Sequence, residues 1–320
     1  MGSTSIGRVA FLGTGAFGVP LFSRVADLAD ELLVVSQPDR PAGRRLQLRA
    51  TPIATAARER GVRVVTPTRL RSDIARTELA AFAPDGLVLA AYGQIVPGDL
   101  LSLGRRPPLN VHPSLLPRHR GAAPVAGTIL AGDPEGGVTL MVMTDELDAG
   151  PIVARWPVPL TGRETTPELE TRLADLAADV VPPLLERWAT DDLEIEEQDD
   201  RAATHVHPFT RADGWIDWRR PAVEIDRQVR ALQPWPGAWT TIDDRRLHVR
   251  RARPVAGVDD VPIGALMPGE QPCVACGAGA LALEIVQPEG RPTMPAAAWR
   301  LGLPREHILL GAGRPEEVAR

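Results

Sequence analysis

Short, nearly continuous apolar runs alternate with amphipathic stretches over the first part of the chain. Strands are predicted at 8–12, 32–36, 62–65, 85–91, 109–111, 138–143 and 152–158. Helices are predicted from Gly18 to about Asp30, over 51–60, over Ser72–Phe82 and over Ala122–Ala131. One long helix is predicted over 165–189, with Leu169, Leu173, Leu176, Val180 and Leu184 along one side. Strands without a polar face, separated by helices, describe a parallel sheet covered on both sides. Chemistry on such a sheet is expected at the carboxyl ends of its strands.

The texture changes after residue 209. Short β-like runs follow at 237–242, 246–252, 273–276 and 280–286, punctuated by Asp243-Asp244 and Pro288-Glu289-Gly290, with one helix at about 222–233 ahead of them. The expected fold class is therefore α/β: a Rossmann-like, open, mainly parallel sheet with helices on both faces, followed by a small OB-like open β-barrel domain. Charge sharpens the boundary. Residues 190–200, TDDLEIEEQDD, hold seven acids and no base, while the chain as a whole has a net charge of −5. Such a run reads as an exposed link, which gives a first domain over 1–189, a linker over 190–208 and a second domain over 209–320.

Composition removes several alternatives. All 36 basic residues are arginine, so no lysine is available as a Schiff base or catalytic amine. Cys273 and Cys276 form a C-x-x-C pair, either a redox motif or half of a metal site. No second pair exists, and the spacing of His248 and His307 matches no zinc pattern, so no metal is expected. A strand-like run starts at Ile6 without a basic region, an apolar stretch and a cleavage site before it. No window approaches the length of an uncharged membrane span. A soluble, cytoplasmic monomer with no membrane partner is expected.

Gly13-Thr14-Gly15-Ala16-Phe17-Gly18 matches G-x-G-x-x-G between a strand and a helix. A dinucleotide site also needs an acid at the end of the second strand. That strand runs instead into Ser36-Gln37-Pro38, and Asp39 comes late, after the proline. These glycines are therefore read as a tight strand-to-helix turn.

The densest polar signal is Asn110-Val111-His112-Pro113-Ser114. Residues two apart in extended chain face the same way, so Asn110 and His112 share one side. They read as a buried hydrogen-bonding pair or as half of an active site. The other half would be Asp148, in the turn Thr144-Asp145-Glu146-Leu147-Asp148-Ala149-Gly150 after a predicted strand. Asn, His and Asp suit acyl transfer to an amine without a covalent intermediate. A neutral donor stabilises the tetrahedral oxyanion, the imidazole takes the amine proton, and a carboxylate orients the charged ring. A serine nucleophile at Ser114 lacks the G-x-S-x-G elbow.

At these residues the chain resembles the folate-dependent formyltransferase family, over nearly its whole length. The resemblance is carried by QPDRPAGR at 37–44, AAYGQIVP at 90–97, NVHPSLLPRHRGAAP at 110–124 and TDELDAG at 144–150, and in the second domain by GWIDW at 214–218 and QPWPGAW at 233–239. It implies that Asn110, His112 and Asp148 are catalytic. It implies N10-formyltetrahydrofolate as co-substrate, in a slot matching Ala91, Tyr92, Gly93, Gln94, Ile95, Ser114, Leu115, Leu116, Pro117, Thr144 and Asp145. It also implies initiator methionyl-tRNA as partner, entering past residues 38–49 with Arg40, Arg44, Arg45 and Arg49, and held by Arg245, Arg246, Arg250, Arg251 and Arg253. Members that formylate amino-sugar nucleotides or other small amines share the triad and are the alternative; the basic 38–49 segment favours tRNA.

Overall fold

A computed structural model describes residues 5–42, 47–257, 260–304 and 308–311. The chain divides into two compact units. The first takes in the chain up to Pro124, Glu135–Pro159 and Glu170–Val206; the second takes in Val125–Pro134, Leu160–Leu169 and the chain from His207 onward.

The first unit opens with β1 (Arg8–Gly13), α1 (Gly18–Leu28) and β2 (Glu31–Val35), then a two-stranded hairpin, β3 (Arg40–Ala42) with β4 (Gln47–Arg49). It continues through α2 (Pro52–Glu59), β5 (Arg63–Val65), α3 (Asp73–Phe82), β6 (Gly86–Ala90), a single turn α4 (Gly98–Leu101), β7 (Leu109–His112) and β8 (Arg120–Gly121). α5 (Pro124–Ala131), nearly all of which belongs to the second unit, is followed by β9 (Glu135–Val142), β10 (Ile152–Pro159), α6 (Thr166–Val180), whose first residues also belong to the second unit, α7 (Pro182–Ala189) and β11 (His205–Val206).

Seven strands form one sheet in the order β10-β9-β7-β6-β1-β2-β5. β7, β6, β1, β2 and β5 run parallel; β9 lies antiparallel to both β7 and β10. The predicted Rossmann-like sheet is borne out. β1 and β6 are buried along nearly their whole length because both sheet faces are covered. On one face Leu12, Leu33 and Leu87 pack with Leu79 and Phe82 of α3. Phe11, on the other face, meets Phe22 of α1 edge-on at 5.6 Å. Local signals fix the helix starts: Thr51 and Ser72 each accept a backbone N–H three residues on, and Pro52 occupies the first turn of α2.

Three sequence expectations change. The single helix over 165–189 is two helices, α6 and α7, broken at Val181. Pro182 and Pro183 lack the N–H groups that would continue the α6 ladder and instead suit the first turn of a new helix. The 38–49 segment is not plain loop, since Arg40–Ala42 pairs with Gln47–Arg49. The acidic run 190–200 is more than an exposed link. Its carboxylates face outward, but Glu196 exchanges both backbone hydrogen bonds with Ile152, which ties the run to β10.

The second unit carries α8 (Ala222–Ala231), β12 (Ala238–Ile242), β13 (Arg245–Val255), β14 (Leu266–Met267), β15 (Cys273–Ala275), β16 (Ala280–Pro288), β17 (Met294–Pro295) and α9 (Ala296–Leu301). The strands run antiparallel in the order β12-β13-β16-β15-β14, with β17 on β16. Register shifts at Val249/Arg251 and Arg251/Ala252 bend β13, as bulges do, and curl the sheet into a half-barrel. Ile225 and Val229 of α8, Leu247, Val249, Leu281 and Leu283 fill its concave side. Cys276 joins that core, and burial pushes its thiol up to about 11. Cys273 is separated from it by three positions of chain and lies outside that core. Among the described residues no group of three or more His, Cys, Asp and Glu is placed to hold a metal ion, and no helix is long and apolar enough to cross a membrane.

Candidate active site

The sheet changes winding direction between β1 and β6, the position where open α/β sheets bind ligands. Here that crevice is stitched shut at its base. The N–H groups of Thr14 and Gly15 both donate to the Ala91 carbonyl at 3.1 Å, and the Thr14 hydroxyl donates to the Tyr92 carbonyl at 2.8 Å. In a dinucleotide site, backbone donors of this loop would face a pyrophosphate. A Cβ at Gly18 would stand 3.0 Å from the Ala90 carbonyl, so this glycine serves close packing of α1 on β6. The tight-turn reading of G-x-G-x-x-G accounts for the structure.

The polar centre lies one strand further along, at the carboxyl end of β7. Leu109 and Val111 enter the core, and Asn110 and His112 project together from the other side, 7% and 5% exposed. Antiparallel pairing sets Asn110 opposite Met141 and His112 opposite Thr139. β9 ends at Val142, opposite Leu109 at the start of β7, and the loop that follows folds back to set Asp148, whose φ of 52° lies in the left-handed region, beside Asn110 and His112.

Two of the side chains converge on one oxygen of the third. Asn110 Nδ2 donates to Asp148 Oδ1 at 3.4 Å, and His112 Nδ1 lies 3.8 Å from the same Oδ1. The second oxygen, Oδ2, accepts the Gly121 backbone N–H at 2.8 Å. His112 Nε2 stands 3.1 Å from the His119 carbonyl. A carbonyl has only lone pairs, so Nε2 carries the hydrogen and Nδ1 is the free base. At 3.8 Å, Nδ1 and Oδ1 are too far apart for a direct bond. Adding a proton at Nδ1 creates a charge attraction between them where the neutral ring has none. The arrangement can accept a proton at Nδ1 and hold the resulting cation beside a carboxylate.

Surrounding loops are placed as follows. Tyr92 is 1% exposed and packs in the core with Leu12 and Leu33; burial holds its phenol above the ordinary range. Gly93 and Ile95 are exposed, and Gln94 is bonded to Leu70 and Thr68. Ala91 carries φ 50° and leaves its carbonyl to Thr14 and Gly15. The Ser114 hydroxyl donates to the Arg118 carbonyl at 2.7 Å, and Thr139 ties Ser114 and Leu116 to β9. Leu116 is buried beside Met141 and Ile152, whereas Leu115 and Pro117 are half-buried. Thr144 and Asp145 are exposed; the Asp145 carboxylate lies against Gly98, where a Cβ would come within 2.3 Å of it. The 91–98 and 144–147 loops are thus neighbours, with Ile95 (68% exposed) on one and Leu147 (59% exposed) on the other.

Of the candidate tRNA-binding arginines, Arg40 and Arg49 are exposed and directly paired on the β3–β4 hairpin. Arg44 and Arg45 lie outside the described residues. On β13, Arg251 and Arg253 pair with Glu284 at 2.7 and 3.5 Å, Arg250 grips Gln287 at 2.7 Å, and Arg246 lies over the Trp239 ring at 4.2 Å. Arg245, Arg251 and Arg253 are exposed. Between Arg246 and Arg250, His248 is pushed down to about 4, first by burial and then by the two guanidinium charges. Its unfolded value is near 6.5, so between those two values the unfolded chain binds more protons than the folded one. Stability is therefore lost as pH falls from about 6.5 towards 4. His248→Gln is expected to recover on the order of 1–2 kcal/mol of the stability lost between pH 7 and 5, after allowing for partial exposure. Thermal melts at the two pH values check this; equal pH sensitivity in both proteins counts against it.

Sequence reasoning missed Gly121, which acts through a backbone N–H, and Gln198, an amide inside the acidic run. Neither leaves a residue-type signal of its own.

A formyl transferase family model matches residues 7–185, and a model of the formyl transferase C-terminal domain matches residues 208–304. The chain is 47% identical over 303 residues to methionyl-tRNA formyltransferase of Roseiflexus sp. (strain RS-1), covering 92% of each protein. Among solved structures it is similar to WlaRD, a sugar 3N-formyl transferase determined in the presence of dTDP and 5-N-formyl-THF, with a TM-score of 0.65 and 14% identity over 91% of this chain and all of that one. HypX from Aquifex aeolicus in complex with tetrahydrofolic acid matches with a TM-score of 0.62 and 18% identity, over 92% of this chain and 47% of that longer one. At such identities these two likenesses speak for the fold alone.

Proposed function

The chain belongs to the formyl transferase family, and on that premise we propose that it moves the formyl group of N10-formyltetrahydrofolate onto the α-amine of methionyl initiator tRNA. The convergence of Asn110, His112 and the Gly121 N–H on one carboxylate, that of Asp148, carries this reading. The 47% identity to a relative named for that reaction supports the acceptor.

N10-formyltetrahydrofolate supplies the activated formyl group. Two neighbouring loops with exposed apolar residues, Ile95 and Leu147, suit a flat heteroaromatic ring beside the triad. Since the side chains of Tyr92, Ser114 and Leu116 are committed to internal packing, the 91–95 and 114–117 segments would meet the ring chiefly through backbone.

The amine lone pair attacks the formyl carbon, forming the new C–N bond and placing negative charge on the formyl oxygen. Asn110 donates to that oxygen, where a fixed donor acts most strongly. His112 Nδ1 takes the proton that the amine loses, and Asp148 holds the resulting cation. The C–N10 bond then breaks, and the proton returns from His112 to N10. Formyl-methionyl-tRNA and tetrahydrofolate leave.

In this reading residues 1–189 carry the transfer, 209–320 hold the tRNA and 190–208 connect them. Arg40 and Arg49, with Arg44 and Arg45 between them, would face the acceptor end. Arg245, Arg246, Arg250, Arg251 and Arg253 would face phosphates, with Arg245, Arg251 and Arg253 the exposed members. A complete triad within one chain supports action as a monomer, and initiator tRNA as substrate supports the cytoplasm as its place of work.

The test supplies purified protein with N10-formyltetrahydrofolate and either methionyl initiator tRNA or an amino-sugar nucleotide. Formylation of the tRNA is expected, with KM for tRNA rising at least ~10-fold between ~50 and ~200 mM salt as phosphate contacts release counterions. KM for the folate should hardly move. Formylation of the sugar nucleotide alone would overturn the proposal.

A further inference from the structure

We propose that Gln198, from within the acidic run, is a positioning residue that holds the Asp148 loop in its catalytic geometry; this rests on the formyl-transfer reading above. Gln198 is the single amide among the residues of TDDLEIEEQDD. Its Nε2 donates to the carbonyl of Asp148 at 2.9 Å and to that of Gly150 at 2.7 Å. Its Oε1 accepts from Arg120 Nε at 3.1 Å and Nη2 at 2.8 Å. Two donors and two lone pairs are the full capacity of a side-chain amide, and all four are used.

Both ends of this amide lead to Asp148. One end holds the backbone of Asp148 itself, whose φ of 52° is in the left-handed region. The other end holds Arg120, and the next residue, Gly121, grips Asp148 Oδ2. Arg120 is only 5% exposed, and its Nη2 also meets Asp200 at 2.7 Å. The run therefore reaches the site twice, through Gln198 and Asp200, and it is anchored to the sheet by the backbone pair of Glu196 with Ile152. Asn110 and His112 sit on a sheet strand and are fixed by its register; Asp148 sits on a loop and depends on this amide for its position.

Only an amide fits this place. Glutamate would pair more strongly with Arg120 but would present lone pairs to two carbonyl oxygens. Methionine keeps the volume and supplies neither donor nor acceptor. The two substitutions separate stability from positioning.

The experiment measures kcat and both KM values, per mole of folded protein, for the full chain and for Gln198→Glu, Gln198→Met and His112→Ala, with N10-formyltetrahydrofolate and methionyl initiator tRNA. Melting temperatures are recorded alongside. Both Gln198 variants are expected to lose kcat about 10- to 100-fold, the scale of an ångström-level misplacement. Both KM values should stay within about twofold, since no substrate contact is removed. Gln198→Glu should melt above Gln198→Met because its link to Arg120 survives, yet recover no kcat. Recovery of kcat along with melting temperature in Gln198→Glu would mean that the amide only braces Arg120, and the inference would fall. If the unaltered chain is active and His112→Ala is not, while both Gln198 variants keep kcat within about twofold, the inference fails alone. An unaltered chain that does not formylate methionyl initiator tRNA removes the function proposed above instead.

Discussion

His112→Ala is expected to lower kcat for formyl transfer at least ~100-fold, the usual scale for a positioned acid–base group. Folate and tRNA KM values should remain nearly unchanged. The ring is held by a backbone carbonyl at Nε2 and turns Nδ1 towards the carboxylate, so the variant removes the imidazole that the proposed mechanism uses as base. Asp148→Asn tests the same pair from the other side. An asparagine at 148 removes the carboxylate that lies beside His112 Nδ1. Its amide also sets one N–H donor against either Gly121 N–H or Asn110 Nδ2, both of which now donate to the carboxylate. A loss of at least ~100-fold is expected there too. Steady-state formylation at saturating substrate reads both variants. A loss under about tenfold in His112→Ala would count heavily against its role.

The second large effect is expected at a residue with no side chain. Gly121→Ala should cost about 2–4 kcal/mol of stability and about 100-fold in kcat. Gly121 has φ +110°, and a Cβ there would stand 2.5 Å from the Val206 carbonyl oxygen. That oxygen belongs to the β8–β11 pair and accepts the Ala122 N–H, so neither partner can yield without breaking the pairing. Displacing β8 withdraws the N–H that holds Asp148 Oδ2. Gly61→Ala is the matched control: φ is +70°, but nothing lies within 4 Å of the added methyl. It should cost about 1 kcal/mol through backbone strain alone and leave kcat unchanged. Chemical denaturation and kcat measured on both variants decide the matter; a Gly121→Ala enzyme within threefold of normal kcat would show that Asp148 does not need that donor.

These contrasts indicate what a sequence carries. The facing of Asn110 and His112 was legible because strand alternation is local and strict. So were the parallel strands, whose apolar runs admit no exposed face. Asp148 could be suspected but not placed by pattern, because its proximity depends on β9 pairing antiparallel with β7, a non-local fact. The break between α6 and α7 was available in Pro182-Pro183 and was obscured by an apolar period that continues through it. The β3–β4 hairpin was hidden by a composition of Pro, Gly and Arg that reads as loop. Gln198 was hidden in another way. Seven acids advertise solvent, and one amide among them does not announce that the run turns back to the Asp148 loop. Gly121 contributes a backbone donor, which every residue but proline possesses.

The self-bonded glycine loop at β1 has a consequence for selectivity. A G-x-G-x-x-G turn between strand and helix is the shape that dinucleotide sites use. In this chain the Ala91 carbonyl, bonded to the N–H groups of Thr14 and Gly15, behaves as a built-in competitive inhibitor. A fixed intramolecular group acts at an effective concentration far above millimolar, so a pyrophosphate would have to displace it at a loss. The turn that a dinucleotide site would use is thereby closed by backbone bonds, without any repulsive side chain.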